Sequence, residues 1–407
     1  MKKITGFPLL MAAGLLALSL AGCSKASFYS PDYDGRYEAS ADGAPVPGGA
    51  DIIDGGGEGE NGGPQYESGV VTAGEWNDIA NWDFWSKLLN NQDWDGYASN
   101  WLFYPRNFVC VELKDELDLP VCGAKVALLL NGQNVWEAVS DNTGRAVLWA
   151  TMWDNSFKID PNGYTLKIGD KQYEDFEFTT PNKSEVVVNH YQFAPVKTLN
   201  AIDVAFIVDA TGSMGDEIGF LKKDLQDILK LVGQQCTAKV RTGTVFYRDE
   251  GDEYVVKHSQ LTDDLKSTIK FIGNQEAAGG GDWPEAVHTA LECGLQDLQW
   301  DPHVRSRVAF MVLDAPPHKE DKIIASCQKS IAKYAQMGIK IVPVSASGID
   351  KATEYLLRSF AMATNGTYVF ITNDSGVGNE HIEATVGEYQ VEKLRDLIAR
   401  LIVTYAR

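Results

Sequence analysis

The chain has 407 residues and a formal net charge of −20, with the apolar content of an ordinary globular protein. This length allows two or three domains. The acidic surplus argues against a nucleic-acid partner and against adsorption on anionic lipid, whereas it suits an exported protein that is kept soluble by its charge.

The N-terminus predicts an export signal with a lipid-attachment site. Lys2 and Lys3 precede the short apolar run 9–20, which is the pattern of a secretion signal. The run ends in Leu-Ala-Gly-Cys23, which resembles the lipobox of bacterial lipoproteins. The resemblance implies that residues 1–22 are the signal peptide and that Cys23 carries the lipid that anchors the protein to a membrane. A simple cleaved signal or a short membrane anchor is the alternative.

Residues 23–70 are predicted to form a flexible acidic tether. They are poor in aliphatic side chains, and the Gly-rich acidic run 54–60 cannot bury enough surface to fold. Ser24 stands where a retention signal for the inner membrane would have Asp, so the outer membrane is the favoured location. Whether the protein faces the periplasm or the exterior is left open.

Residues 71–101 form a tryptophan-rich segment that is predicted to be helical. Its apolar side chains approximate one face of a helix. Packing of this face against the core of a neighbouring domain is favoured over stacking on sugars. The residues of the stripe are Trp76, Ile79, Ala80, Trp85, Leu88 and Leu89.

Residues 102–197 are predicted to form an antiparallel β-sandwich. Apolar and polar side chains alternate along 109–113 and 126–130, which is the period of a half-buried strand, and a later Asp-Asn-Thr-Gly is a turn signal. The stretches 119–126 and 140–146 resemble those of carboxypeptidase regulatory-like or transthyretin-type β-sandwiches. The resemblance implies a spacer or accessory module without a catalytic role.

The cysteines beyond the N-terminus suggest one disulfide. Cys110 and Cys122 flank a short polar loop, and an exported location favours disulfides, so a bridge between these two is a candidate. Cys236, Cys293 and Cys327 are an odd set. At least one of them is expected to be a free, buried thiol.

Residues 198–407 alternate between apolar strands and amphipathic helices. This is the doubly wound, Rossmann-like α/β pattern, with helices on both faces of a mostly parallel sheet. The second and third strands are too close together for a helix between them, so they predict a hairpin and one antiparallel edge strand. The candidate strands are 204–208, 242–247, 254–258, 308–313, 339–344 and 367–371.

The stretch 209–214 follows a buried strand and precedes an amphipathic helix. It therefore lies at the carboxyl end of a parallel strand, where open α/β sheets bind ligands. Asp209, Thr211 and Ser213 alternate along this tight turn, so that a carboxylate and two hydroxyls converge. Such oxygen ligands suit Mg²⁺, Mn²⁺ or Ca²⁺ rather than zinc or copper.

With this turn in place, residues 198–407 resemble a von Willebrand factor type A domain. The metal-ion-dependent adhesion site of that family begins with Asp-x-Ser/Thr-x-Ser, which the turn matches. The Gly-rich loop 279–285 places Asp282 where the family has a threonine, and Asp314 follows strand 308–313 as the family's third aspartate does. The resemblance implies that these side chains share one divalent cation with the turn, and Mg²⁺ is the favoured ion.

Several positions near this site have alternatives. Asp282 could instead cap a helix N-terminus, and Asp314 could be a turn residue. Asp249 could support the metal site from the next strand, although a charged hairpin turn is favoured there. Met214 and Trp283 flank the site, either as an apolar rim for a partner or packed beneath the loops. An acid in place of the threonine should retain the cation more strongly and attract an acidic ligand less.

The favoured function is that of a lipid-anchored binding protein, at the surface or in the periplasm. It would bind an unidentified protein, or another acidic ligand, through the bridging cation. A structural envelope subunit, in which the metal only stabilises the domain, is the alternative. Metal-assisted hydrolysis is less favoured, because the chain has neither His-Glu-x-x-His nor Gly-x-Ser-x-Gly and only His318 is near the site in sequence. We therefore expect no enzyme activity.

Overall fold

The computed structural model describes residues 69–375 and 381–407, and all of them belong to one compact unit. The predicted signal peptide, Cys23 and nearly all of the predicted tether lie outside these residues. Within the described ranges, no helix is both long and apolar enough to cross a membrane. The helices are α1 (Trp82–Leu88), α2 (Gln92–Trp101), α3 (Gly215–Gln235), α4 (Leu265–Gly273), α5 (Val287–Gln296), α6 (Asp321–Gln336), α7 (Lys351–Ala363) and α8 (Leu394–Ala406).

The strands divide between one large sheet and two small ones. In chain order they are β1 (Thr72–Trp76), β2 (Phe108–Lys114), β3 (Lys125–Leu130), β4 (Gln133–Val139), β5 (Arg145–Trp149), β6 (Tyr164–Ile168), β7 (Lys171–Tyr173), β8 (Val188–Gln192), β9 (Leu199–Asp209), β10 (Lys239–Tyr247), β11 (Val256–Thr262), β12 (Val304–Leu313), β13 (Ile339–Ser345), β14 (Tyr368–Ile371) and β15 (Glu392–Lys393).

The large sheet has eight strands in the order β11-β10-β9-β12-β13-β14-β1-β15. Its five central strands, from β10 to β14, are parallel to one another. Along β9, Val204 and Phe206 pack into one core with α3 and α8, whereas Ala205 and Ile207 pack into a second core with α5, α6 and α7. A strand buried on both faces needs the continuous apolar run that the sequence has. The predicted mixed α/β fold is confirmed.

The two ends of the large sheet are antiparallel. Strands β10 and β11 form the hairpin that their short connection predicts. At the other end, β1 pairs antiparallel with both β14 and β15. The sequence predicted helix from Trp76 onward, but Trp76 is the last residue of β1. This prediction was wrong because pairing with distant strands, rather than local periodicity, decides the conformation of 72–76.

Helices α1 and α2 cover helix α7, whose residues from Ala352 to Ala363 are all buried. The ring of Trp85 stacks on that of Tyr355 with centroids 5.6 Å apart. The Nε1 atom of Trp101 donates a 2.8 Å hydrogen bond to the carbonyl of Ala352. The tryptophans of this segment are therefore core residues, which confirms packing over exposure as sugar-stacking groups.

Residues 108–192 contain the two small sheets, with strand orders β5-β2-β8 and β4-β3-β6-β7. We call this part the β-rich region. Both of its sheets contribute side chains to the core that also contains α5, α6 and α7. Its membership of a particular sandwich family stays a prediction.

Cys110 and Cys122 are free thiols, so the predicted hairpin disulfide is wrong. The side chain of Cys110 is buried within the β-rich region. Cys122 instead faces β12, where its Sγ donates a 3.0 Å hydrogen bond to the carbonyl of Arg305. Burial raises the pKa of each thiol to about 11, so both thiols are protonated at neutral pH. Cys236, Cys293 and Cys327 are also free.

Candidate metal centre

Two buried carboxylates meet at the carboxyl edge of the large sheet. Asp209 is the last residue of β9, and Asp314 follows the last residue of β12, which is the parallel neighbour of β9. Asp209 is fully buried and Asp314 is 5% exposed. The Oδ2 atom of Asp209 has no hydrogen-bond partner. A buried carboxylate oxygen without a donor is costly unless a cation or an ordered water satisfies it.

The turn after β9 positions the two hydroxyls beside Asp209. Thr211 donates to Asp209 Oδ1 twice, from its backbone nitrogen at 2.9 Å and from its hydroxyl at 2.7 Å. The hydroxyl of Ser213 lies 3.2 Å from that of Thr211. Asp209 is thus oriented by its own turn, and the side chains of Asp209, Thr211 and Ser213 lie together there.

The Gly-rich loop is joined to this turn through the backbone. The amide of Gly212 donates to the carbonyl of Gly279 at 3.0 Å, and the amide of Ala278 donates to Ala210 at 3.0 Å. The buried guanidinium of Arg248 donates to the carbonyls of Ala210, at 3.1 Å, and Glu276, at 2.8 Å. These bonds connect the two loops without any metal.

The carboxylate that the Gly-rich loop brings to the centre is Glu285 rather than Asp282. Asp282 is exposed, whereas Glu285 is 3% exposed and its Oε2 is buried without a hydrogen-bond partner. A Cβ placed on Gly280 would lie 3.0 Å from Glu285 Oε1 and 3.2 Å from the Cβ of Thr211. Glu285 therefore reaches the turn, while Asp282 points to solvent.

Asp282 is not a helix cap either. Helix α5 begins at Val287, and its N-cap residue is Ala286. The capping prediction was wrong because residues 282–286 continue as a loop, in which Glu285 forms an isolated parallel bridge with Pro317. In the sequence, Glu285 is an acid just before the apolar start of a helix. Sequence patterns alone do not show whether an acid at such a position is buried or exposed.

The acidic groups of the centre repel one another in the absence of a cation. Burial raises the pKa of Asp209 to about 7, and the negative charge of Asp314 adds to the shift. Burial also raises the pKa of Glu285 to about 9, with further contributions from Asp209 and Asp249. Burial together with neighbouring like charges is the arrangement that a shared cation relieves.

Asp249 lies at the margin of the centre in a hydrogen bond with a histidine. Its Oδ1 is 2.9 Å from the Nε2 of His318, and its side chain is almost buried. The negative charge of Asp249 contributes to the raised pKa of Glu285. Met214 is fully buried beneath the loops, whereas Trp283 is 44% exposed beside Asp282. Of the two expected rim residues, only Trp283 is available to a partner.

The donor set suits a hard divalent cation. Two carboxylates and two hydroxyls, from Asp209, Asp314, Thr211 and Ser213, are oxygen ligands, and Glu285 lies close by. Mg²⁺ commonly combines one or two carboxylates with several waters. The residues present therefore fit a resident divalent cation.

A comparison with known families matches the part of the chain that contains these residues. The family model described as von Willebrand factor A domain matches residues 203–377, a range that runs from β9 past β14 and contains all of the residues above.

Among curated proteins, the chain is 33% identical over 118 residues to an ariadne-like RING finger protein of Acanthamoeba polyphaga mimivirus, which is 29% of this chain and 11% of that protein. It is 29% identical over 130 residues to an alpha-protein kinase of Dictyostelium discoideum, which is 31% of this chain and 20% of the kinase. The match thus covers a small part of each of these relatives.

Similar solved structures include the von Willebrand factor type A protein from Catenulispora acidiphila, with 13% identity, a TM-score of 0.37, and coverage of 75% of this chain and 50% of that chain. A proximal thread matrix protein from the mussel byssus has 17% identity, a TM-score of 0.31, and coverage of 42% of this chain and 41% of that chain. The matched family model thus shows that residues 203–377 are similar to a von Willebrand factor A domain.

Proposed function

We propose that Asp209, Thr211, Ser213 and Asp314 bind a divalent cation, and that this cation binds a carboxylate of a protein ligand. The observation that carries the proposal is the pair of buried carboxylates at the ends of β9 and β12, one of which has an oxygen without a partner. Mg²⁺ is the favoured ion because the donors are hard oxygens.

Glu285 takes the position in this proposal that the sequence gave to Asp282. Its buried carboxylate lies beside Thr211, either as a direct ligand or as the acceptor of a metal-bound water. Asp282 remains on the exposed rim next to Trp283, where it faces an approaching partner rather than the ion.

Arg248 and the backbone bonds between the turn and the Gly-rich loop join the loops of the centre. This favours the binding function over the structural alternative, in which the cation only clamps the loops.

The location of the protein remains as the sequence suggests. We propose that Cys23 carries a lipid and that residues 23–70 space the folded part from a membrane, with the outer membrane favoured. The partner is then a protein in the envelope or outside the cell. A von Willebrand factor A domain is consistent with a role in protein interaction or adhesion.

The metal is tested by thermal unfolding of the full chain with EDTA and then with Mg²⁺, Mn²⁺ or Ca²⁺. An ion at about 100 times its dissociation constant should stabilise the fold by about 2.7 kcal/mol, a rise of several degrees in Tm. Asp209→Ala should abolish the rise. An equal rise in Asp209→Ala, or none in the wild type, would contradict the proposed centre.

The carboxylate ligand is tested with Mn²⁺ as the ion and acetate as the probe. Acetate should displace water from the bound Mn²⁺ and lower its enhancement of water proton relaxation. If Mn²⁺ binds but acetate leaves its relaxation enhancement unchanged, the structural alternative is supported instead.

Turnover of an ester or phosphate substrate, lost in Asp209→Ala, would favour the hydrolase. The His318–Asp249 pair is the nearest proton-transfer group for such a reaction.

A further inference from the structure

A second group of ligating side chains lies outside the centre described above, where the edge strand β11 packs beside α5. The group consists of His258, Cys293 and Asp297, and one ligand atom from each lies within 4.8 Å of the other two. Cys293 is six residues into α5, and the amide of Asp297 donates to its carbonyl at 2.9 Å. The two side chains are therefore one helical turn apart on the same face.

Each of the three residues is placed by a different constraint. His258 is opposite Val245 in the β10–β11 hairpin and is exposed, whereas Cys293 is 5% exposed in the helix beneath it. Asp297 is exposed at the C-terminal end of α5. The helical spacing of Cys293 and Asp297 accounts for the proximity of those two side chains, but it does not account for the imidazole from another element.

The donors differ in kind from those of the first centre. One thiol, one imidazole and one carboxylate are the ligand types that zinc combines in proteins, whereas Mg²⁺ and Ca²⁺ take oxygen ligands. We propose that His258, Cys293 and Asp297 bind a zinc ion.

The geometry permits a tetrahedral site after a small side-chain adjustment. Ligand atoms about 2.0–2.3 Å from zinc are about 3.5 Å apart in a tetrahedron, so the present separations, at most 4.8 Å, have to close by no more than about 1.3 Å. The Nε2 atom of His258 is 3.5 Å from Gln260, which is too far for a strong competing hydrogen bond. Three protein ligands leave the fourth position to water or to an external ligand.

This site ties the edge of the sheet to a helix. Among the described strands, β11 has β10 as its one neighbour in the sheet. An exposed edge strand is prone to fraying and to pairing with other chains. A zinc ion bonded to His258 and to two positions at the end of α5 adds a cross-link that the hydrogen-bond ladder does not supply.

The test uses Co²⁺ as a spectroscopic substitute for zinc, added to the reduced full chain in the presence of excess Mg²⁺, which occupies the oxygen-rich centre. Binding through Cys293 should produce sulfur-to-cobalt charge-transfer absorption, and added Zn²⁺ should abolish it. Cys293→Ser should remove the absorption, and His258→Gln should weaken Zn²⁺ binding about tenfold or more.

Two variants serve as controls. Cys236→Ser removes a partly exposed thiol at the end of α3, and Asp209→Ala disables the first centre; both should keep the absorption. The proposal is overturned if the wild type shows no thiolate absorption, if the absorption persists in Cys293→Ser, or if it requires Asp209 or Cys236. Since His258 is exposed on an edge strand, His258→Gln keeps the test decisive even if Cys293→Ser fails to fold.

Discussion

At the scale of single residues, the chemistry of the first centre depends on how closely buried acids are brought together. Asp209 and Asp314 could be predicted because each follows a continuous apolar strand, and parallel neighbouring strands end at the same edge. Glu285 could not be predicted in this way. It lies in a loop whose path is set by Gly280 and by a bridge to Pro317, and neither contact leaves a periodic signal in the sequence.

The roles of the two acids in the Gly-rich loop can be separated by neutral substitutions. Glu285→Gln should weaken Mg²⁺ or Mn²⁺ binding about tenfold or more, because it removes a buried carboxylate beside the ion. Without metal, the same change should stabilise the protein at pH 7, because a neutral amide avoids the free-energy cost of burying this acid and of its repulsion by Asp209, which together raise its pKa to about 9. Asp282→Asn should alter the affinity by no more than about twofold, because an exposed charge is screened. Calorimetric titration of both variants measures this, and the reverse order of effects would restore Asp282 as the ligand.

A buried cluster of ion pairs next to the tryptophans of α1 and α2 leads to a second prediction for single residues. Arg358 is bonded to Asp78, at 2.5 and 2.9 Å, and to Glu354, at 3.1 Å, and all three are buried. Arg358→Met should destabilise the fold by about 3–5 kcal/mol, since it leaves the buried Asp78 without its cationic partner and Glu354 with Lys351 alone. Urea unfolding measures the loss.

The matched control is Arg400→Met, which breaks ion pairs with Glu75 and Glu392 on a half-exposed side chain. Arg400→Met should lower the free energy of unfolding by less than about 1 kcal/mol. Equal costs for the two variants would show that burial does not determine the strength of these pairs.

At the scale of elements, the least predictable part of the fold is β1. The parallel strands and the β10–β11 hairpin follow from apolar runs and connection lengths. Strand β1, in contrast, has only five residues, and it is held by partners about 300 residues later in the chain, for example Ala73 opposite Ile371. A local pattern contains no information about such a partner, and the nearby tryptophans favoured a helix.

Gly74 tests the close packing around β1. A Cβ at this position would lie 2.6 Å from Phe370 and 2.7 Å from Tyr389, so Gly74→Ala should destabilise the fold by about 1–3 kcal/mol through overpacking. Gly96→Ala, within α2, meets no atom within 4 Å and should instead stabilise the fold by about 0.5–1 kcal/mol. Chemical unfolding of both variants checks the opposite signs. A stabilised Gly74→Ala would contradict the packing of β1.

At the scale of the whole molecule, the β-rich region and the large sheet are joined by a shared core and by a buried ion pair. Lys340 in β13 lies 2.9 Å from Asp141, in the turn before β5, and Asn365 also donates to Asp141, at 3.0 Å. The sequence predicted a β-sandwich over 102–197 followed by an α/β domain over 198–407. It contained no sign of this contact, because Asp141 in its Asp-Asn-Thr-Gly stretch is equally typical of a turn residue.

The ion pair predicts a particular dependence of stability on pH. Burial alone would raise the pKa of Asp141, but the charge of Lys340 and hydrogen bonds from Thr143 outweigh it and lower the pKa below its usual value of 3.8. The stabilisation is therefore present above about pH 4 and is lost as the pH falls through the lower pKa of the folded state. Asp141→Asn should lower the free energy of unfolding by about 3 kcal/mol at pH 7. Below pH 4 the free energies of unfolding of the variant and the wild type should become more similar. Urea unfolding across this range measures it, and a constant difference would show that ionisation of Asp141 does not contribute.

Strand β1 also determines how the fold responds to mechanical load. Any pull on the chain before Gly69 enters the fold through β1, which is hydrogen-bonded to β14 on one side and to β15 on the other. Since ladder hydrogen bonds are perpendicular to the strands, tension directed along β1 shears them together instead of opening them one at a time. Strand β1, which the local sequence pattern did not predict, would therefore carry tension from an N-terminal attachment into the large sheet, at whose edge the metal centre lies.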